Sequence, residues 1–355
     1  MCNQRPTARR ICIRAPNWVG DVVMATPTFR AVRQRCPDAR ISLVIRERVE
    51  PIIRGSDWFD EVIAYDADGR RIREFFRVVG RLRSDNSDLG LLLPNSFSSA
   101  LMFRLGGVWR RVGYQRDCRS ILLTDAIPRP SENGHFKPTY MVDYYLNLCR
   151  RVGIEPAGRR MELPFGPGDR RQADERLQER GIGPGERLVL MHPGAGYGPA
   201  KRWQTERFAR LAEMLEGAQG ARVAVIGGPA EEETAADIVA GSRADVADLV
   251  ECGIDLHLLK PVVGRSALLV TTDSGPRHYG VALGVPTVCL MGPTHPGYST
   301  SGWAHDHVVR VDVECGPCQL KKCPRDHRCM EEITADMVFE ACQDALRVER
   351  EPAHD

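Results

Sequence analysis

Short apolar runs alternate along this chain with longer stretches in which apolar residues recur every three or four positions. The runs read as buried strands and the spaced stretches as helices with one buried face. Residues 11–15, 41–45, 61–65 and 89–93 are predicted strands. A helix is predicted over 19–35, where Val22, Val23, Thr26, Phe29 and Val32 share a face, with others over 70–83 and 96–105. Short strands over 111–114 and 121–123 and a helix over 138–152 close the first half. Residues 155–169, EPAGRRMELPFGPGD, concentrate Pro and Gly and break the periodicity, which divides the chain into domains 1–160 and 161–355. The alternation then resumes: helix 170–180, strand 188–192, helix 205–216, strand 222–226, helix 231–240 and a short helix 255–262. A strand ending at Thr272, a helix over 276–283 and a strand over 285–290 form a βαβ unit, and a last helix covers 334–348. Strands separated by helices mean an α/β protein with two mostly parallel, doubly wound sheets.

A length of 355 residues agrees with two domains. No run approaches the roughly 18 apolar residues that span a bilayer. The opening MCNQRPTARRICIRAP lacks the apolar core of a secretory signal, so a cytoplasmic location is expected. There, twelve cysteines serve as thiols or metal ligands rather than disulfides. The net charge of +2 hides an asymmetry: residues 1–160 hold 28 Lys and Arg against 17 Asp and Glu, and residues 161–355 hold 21 against 30. Nearly all the cations of the first half are Arg, the bidentate ligand for phosphate and carboxylate. That half suits an anionic partner, such as a lipid head group or phosphorylated glycan, or else presents a solvated face. Nucleic acid is disfavoured because no RNP-like aromatic motif is present.

Five stretches carry candidate chemistry. Asp273-Ser274-Gly275-Pro276 follows a buried strand and starts a helix, so exposed amides there favour a phosphate-bearing ligand, or Asp273 and Ser274 simply cap the helix. Asp21, after Trp18 and Gly20, stands at another strand-to-helix loop, placed to accept a hydroxyl proton or to cap its helix. The surrounding APNWVGD lacks GxGxxG, which disfavours a nicotinamide dinucleotide. In HPGAGYGPAKRWQ, residues 192–204, three glycines allow close backbone approach and Lys201 or Arg202 could neutralise phosphate, but no Walker A spacing appears. VIGGPAEEE, residues 225–233, puts carboxylates after a strand; Glu231 is the candidate for ribose hydroxyls, with Glu232 and Glu233 as alternatives. Cys315, Cys318, Cys323 and Cys329, with His327 among them, open with CxxC and allow a structural zinc, an iron–sulfur cluster or plain reduced thiols.

APNWVGDVVMATPTFRAVR, HPGAGYGPAKRWQ, TDSGPRHYGVALGVPTVCLMGPTHPGYS and CGPCQLKKCPRDHRCM together resemble the ADP-heptose:lipopolysaccharide heptosyltransferases of glycosyltransferase family 9, the heptosyltransferase II members above all. Pro199 and Ala200 stand in a loop that varies in that family, and the basic helix over 70–83 matches no family motif. The resemblance implies a GT-B fold, two Rossmann-like domains facing across a cleft, with the nucleotide sugar on the C-terminal half. It implies that Asp273 contacts the donor sugar, that the backbone around Ser274 and Gly275, with His278, holds the pyrophosphate, that Pro276 belongs to the same donor site, that Lys201 neutralises the leaving phosphate and that Glu231 sits near ribose. Asp21 would be the base for a lipid-linked Kdo- and heptose-bearing acceptor, in an inverting displacement from ADP-heptose that requires no metal. It further implies a peripheral position at the cytoplasmic face of the inner membrane. The alternatives are a related transferase using another nucleotide sugar or surface glycan, and a non-catalytic binder of anionic glycans.

Overall fold

The computed structural model describes residues 8–66, 69, 71–132 and 135–347. The expected helix start at Arg70, the helix end at Val348 and both chain termini lie outside the described residues. The chain divides into two compact units between Glu162 and Leu163, inside the Pro- and Gly-rich stretch.

In the first unit β1 (Arg10–Arg14), β2 (Arg40–Arg46), β3 (Glu61–Tyr65), β4 (Leu89–Leu92), β5 (Arg110–Tyr114) and β6 (Asp125–Ile127) form one sheet in the order β3-β2-β1-β4-β5-β6. Every pair is parallel. The order runs outward in both directions from β1, so the topological switch lies between β1 and β4. The expected helix over 19–35 is two helices, α1 (Val19–Met24) and α2 (Thr26–Arg35), that meet at Ala25. Pro27 has no N–H to continue the ladder, and the Thr26 hydroxyl donates to the Val23 carbonyl instead at 2.7 Å. α3 (Arg71–Asp85) and α4 (Phe97–Leu105) cover one face, where Val78, Leu82 and Phe103 pack on Cys12, Val44 and Leu92. α5 (Met141–Arg151) packs beside α2. Residues 121–123 are not a strand. Arg119–Leu122 is a 3-10 turn that follows Cys118 in the left-handed region, and it buries Leu122 while leaving Ile121 outside. A small antiparallel ladder, β7 (Ser131–Glu132) with β8 (His135–Phe136), was not anticipated.

The second unit repeats the scheme with β9 (Leu188–His192), β10 (Arg222–Val225), β11 (Ala247–Asp248), β12 (Leu268–Thr272), β13 (Thr287–Leu290) and β14 (Asp306–Val309), in the order β11-β10-β9-β12-β13-β14. Its pairs are also all parallel. β9, β12 and β13 are buried throughout, as central parallel strands with helices on both faces must be. β11 and β14 escaped the sequence reading because neither is a long apolar run. The helices are α6 (Pro167–Glu179), α7 (Thr205–Gln219), α8 (Glu232–Gly241), α9 (Leu259–Arg265), α10 (Gly275–Ala282), α11 (Arg328–Glu331) and α12 (Ala335–Arg347). α6 starts before the expected residue 170 because the Asp169 carboxylate accepts the Gly166 N–H at 2.7 Å. α9 starts after the expected residue 255 because the Asp255 carboxylate accepts the N–H groups of His257 and Leu258 and builds a turn first. Phe208, Leu211, Leu215, Ile238, Val338 and Cys342, from α7, α8 and α12, share one core with Val189, Val270 and Val288 of the sheet. Among the described residues no helix is long and apolar enough to cross a membrane.

Candidate active site

The second sheet switches direction between β9 and β12, and the loops after these strands carry two of the five candidate stretches, 192–204 and 273–276. His192 closes β9 in register with Thr271 of β12. The glycines beyond it hold the backbone close: a Cβ on Gly194 would lie 2.5 Å from the His192 ring and 3.0 Å from the Glu231 carboxylate, and one on Gly198 would meet the Lys321 carbonyl. The loop ends in a 3-10 turn that delivers Lys201, buried at 8% exposure. Its Nζ donates to the Asp273 carboxylate at 2.7 Å and to the Asp273 carbonyl at 2.5 Å, over the ring of Tyr197.

Asp273 is the centre of a buried polar network. One carboxylate oxygen accepts from Lys201 and from the Thr294 hydroxyl at 2.6 Å. The other accepts from Ser299 at 3.0 Å and from Arg277 at 3.3 Å. Arg277, fully buried in the first turn of α10, also donates two bonds to Asp306 at 3.0 and 2.9 Å. Burial alone would raise the Asp273 pKa, but Lys201 and Arg277 outweigh it and hold the carboxyl well below its ordinary 3.8. Two cations thus face two carboxylates, and the network is neutral.

α10 begins at this network. Ser274 is extended at the N-cap, and its hydroxyl lies near His192 Nδ1 and the Thr271 hydroxyl rather than on the helix. Gly275 and Pro276 open the first turn; the N–H groups of Gly275 and Arg277 have no acceptor inside the helix and Pro276 has no N–H, so the end carries positive partial charge. His278 lies buried in that turn, pushed down to about 4 by burial and by Arg277, and its Nδ1 meets no protein partner. Burial pushes His192 down to about 4 as well. Both rings are neutral at neutral pH. Glu231, in the turn before α8, accepts the Gly228 N–H at 2.9 Å and so caps its own turn. Lys201, Glu231, Asp273, Ser274, Gly275, Pro276 and His278 therefore gather at the carboxyl edge of one sheet.

Asp21 stands at the matching edge of the first unit, in the opening turn of α1 after β1. The buried Tyr145 hydroxyl donates to its carboxylate at 3.2 Å, and burial, reinforced by Asp21, pushes the Tyr145 phenol well above its ordinary 10. The loop before it is clamped by buried Arg14, which donates to the Asn17 side chain at 2.6 Å and to Tyr65. Across the switch, buried Arg119 donates to Pro94 and Asn95 of the loop after β4, and Tyr144 donates to Asn95 at 3.2 Å. Burial lowers the Arg119 pKa to about 10. Sequence reasoning missed these clamps, together with His192, Arg277, Thr294, Ser299 and Asp306. Of them only Arg277 had a signal, its position four residues after Asp273, in the first turn of the helix that follows it.

Cys315, Cys318, Cys323 and Cys329 line one small apolar pocket with His327. Among the described residues, however, no group of three or more His, Cys, Asp or Glu side chains is arranged to hold a metal ion. His327 Nε2 instead lies 2.7 Å from the Ala200 carbonyl, and burial, then the neighbouring cysteines, push the Cys329 thiol up to about 11.

The model for glycosyltransferase family 9 (heptosyltransferase) matches residues 75–328. The chain belongs to glycosyltransferase family 9. Lipooligosaccharide heptosyltransferase 2 of Haemophilus ducreyi is 27% identical over 354 residues, covering 95% of this chain and 99% of that one. Lipopolysaccharide heptosyltransferase 2 of Escherichia coli K12 is 27% identical over 316 residues, 85% of this chain and 88% of that one. Among solved structures, ADP-heptose LPS heptosyltransferase II of E. coli aligns with TM-score 0.78 at 26% identity, covering 95% and 98% of the two chains. A family 9 glycosyltransferase from Veillonella parvula aligns with TM-score 0.82 at 23% identity over 98% and 99%, which shows the shared fold. Family 9 membership makes the protein a glycosyltransferase, and its pair of doubly wound units is of the GT-B class.

Proposed function

We propose that this family 9 enzyme transfers heptose from ADP-heptose to an inner-core heptose of a lipid-linked lipopolysaccharide acceptor, at the cytoplasmic face of the inner membrane. The names of the similar heptosyltransferases support the substrate class. The observation that carries the chemistry is the start of α10, with its unpaired N–H groups, held beside Lys201, which Asp273 fixes in place, because these donors converge where a diphosphate leaving group needs them.

In this reading Asp21 accepts the proton of the acceptor hydroxyl while that oxygen attacks the anomeric carbon from the face opposite ADP, with inversion. Lys201 and the backbone N–H groups of Ser274 and Gly275 stabilise the departing diphosphate, Pro276 sets the helix start behind them, His278 contributes a neutral donor, and Glu231 meets the ribose. Both Asp273 oxygens are engaged by protein donors, so Asp273 acts on the donor by holding Lys201 charged and aimed rather than as a sugar ligand. Incubation with ADP-heptose and a heptosyl-Kdo2-lipid acceptor should release ADP and lengthen the acceptor by one heptose. Absence of ADP release with a competent acceptor removes the proposal, and a panel of nucleotide sugars separates ADP-heptose from related donors.

A further inference from the structure

The charges on the donor side cancel before a ligand arrives. Lys201 and Arg277 are matched by Asp273 and Asp306. Two of the three Nζ–H groups of Lys201 are spent on Asp273, which leaves one for a ligand. The start of α10 adds about half a positive charge. A departing diphosphate carries more than one negative charge, so this edge of the sheet has work for a further cation.

The cysteine-rich segment supplies one. Its backbone is bonded to the loop that delivers Lys201. The Ala200 N–H donates to the Lys321 carbonyl at 3.0 Å, and the Tyr197 hydroxyl donates to the Gln319 carbonyl at 2.6 Å. His327 Nε2 donates to the Ala200 carbonyl at 2.7 Å, and since a carbonyl only accepts, that nitrogen carries the proton. The Gln319 N–H donates in turn to the Pro293 carbonyl at 2.9 Å, next to Thr294, whose hydroxyl holds Asp273.

These bonds set Lys321 beside Tyr197. Its Nζ lies 5.7 Å from the centre of that ring, and the Lys201 Nζ lies 5.0 Å from the same centre. One aromatic ring thus draws two ammonium groups together. The Lys321 side chain is exposed, and among the described residues no carboxylate pairs with it. Its charge is available to a ligand, whereas that of Lys201 is balanced within the protein.

We propose that Lys321 is a second phosphate ligand of the donor site, held there by the segment from Cys315 to Cys329. The inference rests on the reading above that a nucleoside diphosphate occupies the start of α10. As the sugar departs, the terminal phosphate oxygen keeps the bonding pair from the anomeric carbon, and the Lys321 ammonium meets the charge left on that phosphate. The segment then has a task in the donor site whatever its thiols hold.

The test is calorimetric titration of the full chain with ADP and, in parallel, with GDP and UDP, all without acceptor. Lys321→Met should weaken ADP binding about tenfold, the worth of a hydrogen bond to a charged group. It should also flatten the decline of ADP affinity with salt, which a merely structural loss would not do. Lys321→Arg should restore most of the affinity. Lys322→Met, at the neighbouring exposed lysine, should bind ADP as the wild type does. Thermal melts verify that these surface variants fold. Wild-type ADP affinity in Lys321→Met overturns the inference, as does an equal loss in Lys322→Met or a loss that Lys321→Arg does not repair. A wild type that binds GDP or UDP in place of ADP, with the same loss in Lys321→Met, removes the ADP-heptose reading and leaves Lys321 in its role. A wild type that binds no nucleoside diphosphate overturns the Lys321 site together with the donor site.

Discussion

Asp273→Asn is the most informative single perturbation of the donor side. The wild-type carboxylate accepts from four side chains: Lys201 and Thr294 on one oxygen, Ser299 and Arg277 on the other. An asparagine of the same shape must turn its NH2 toward one of these pairs, so a donor faces a donor in either orientation. The substitution also leaves Lys201 and Arg277 buried with Asp306 as the remaining anion of the network. Removing one partner of a buried ion pair costs about 3–5 kcal/mol. For a unit of this size about 2–4 °C accompanies each kcal/mol, so the melting temperature should fall by about 6–20 °C. Urea unfolding, followed on the second unit, should report the same loss with an unchanged slope. Lys201→Met added to Asp273→Asn removes the stranded cation, so the double variant should be more stable than the sum of the single losses predicts. A melting temperature within about 2 °C of wild type would refute the reasoning, because Asp273 would then not be holding two buried cations.

Other expectations follow from the same structure. His192 and His278 ionise near 4 when folded and near 6.5 when unfolded, so the unfolded chain binds more protons between these values. Stability is then complete above pH 6.5 and falls toward pH 4, by about 3 kcal/mol per ring. His192→Asn should flatten the acid limb of a stability–pH profile, and an unchanged limb would contradict it. Gly280→Ala places a Cβ against the Thr287 hydroxyl and 3.3 Å from Leu269, so thermal melts should show a loss of about 1–3 kcal/mol. A structural zinc at Cys315, Cys318, Cys323 and Cys329 would appear as one equivalent of metal in freshly purified, reduced protein and as a lower melting temperature after chelation. Metal-free protein that melts at the same temperature removes it.

Much of the framework was legible because parallel strands are buried on both faces and read as plain apolar runs. β3 and β9 matched the expected ranges end to end, and β1, β2, β5 and β10 matched to within a residue at each end. Failures had specific causes. Ile121 to Leu123 imitates a strand by composition, but a 3-10 turn buries only part of it. Pro27 cut a helix whose apolar spacing runs on without a break. The candidate site was legible where the chain itself brings residues together, as Asp273, Ser274 and Gly275 are on one loop and helix start. It was illegible where the sheet does so: Asp306 reaches Arg277 from the edge strand, and Thr294 and Ser299 reach Asp273 from the loop after β13. No local pattern marks a residue as the partner of a group twenty or more positions away.

The central claim is that Asp21 removes a proton from the acceptor while the second unit holds the donor. Single-turnover release of ADP from ADP-heptose, with a heptosyl-Kdo2-lipid acceptor, measures it directly in Asp21→Asn beside the wild type. The account predicts a fall of about 10²–10⁴ in the rate with donor affinity unchanged. Asp21→Asn turning over at the wild-type rate would contradict it.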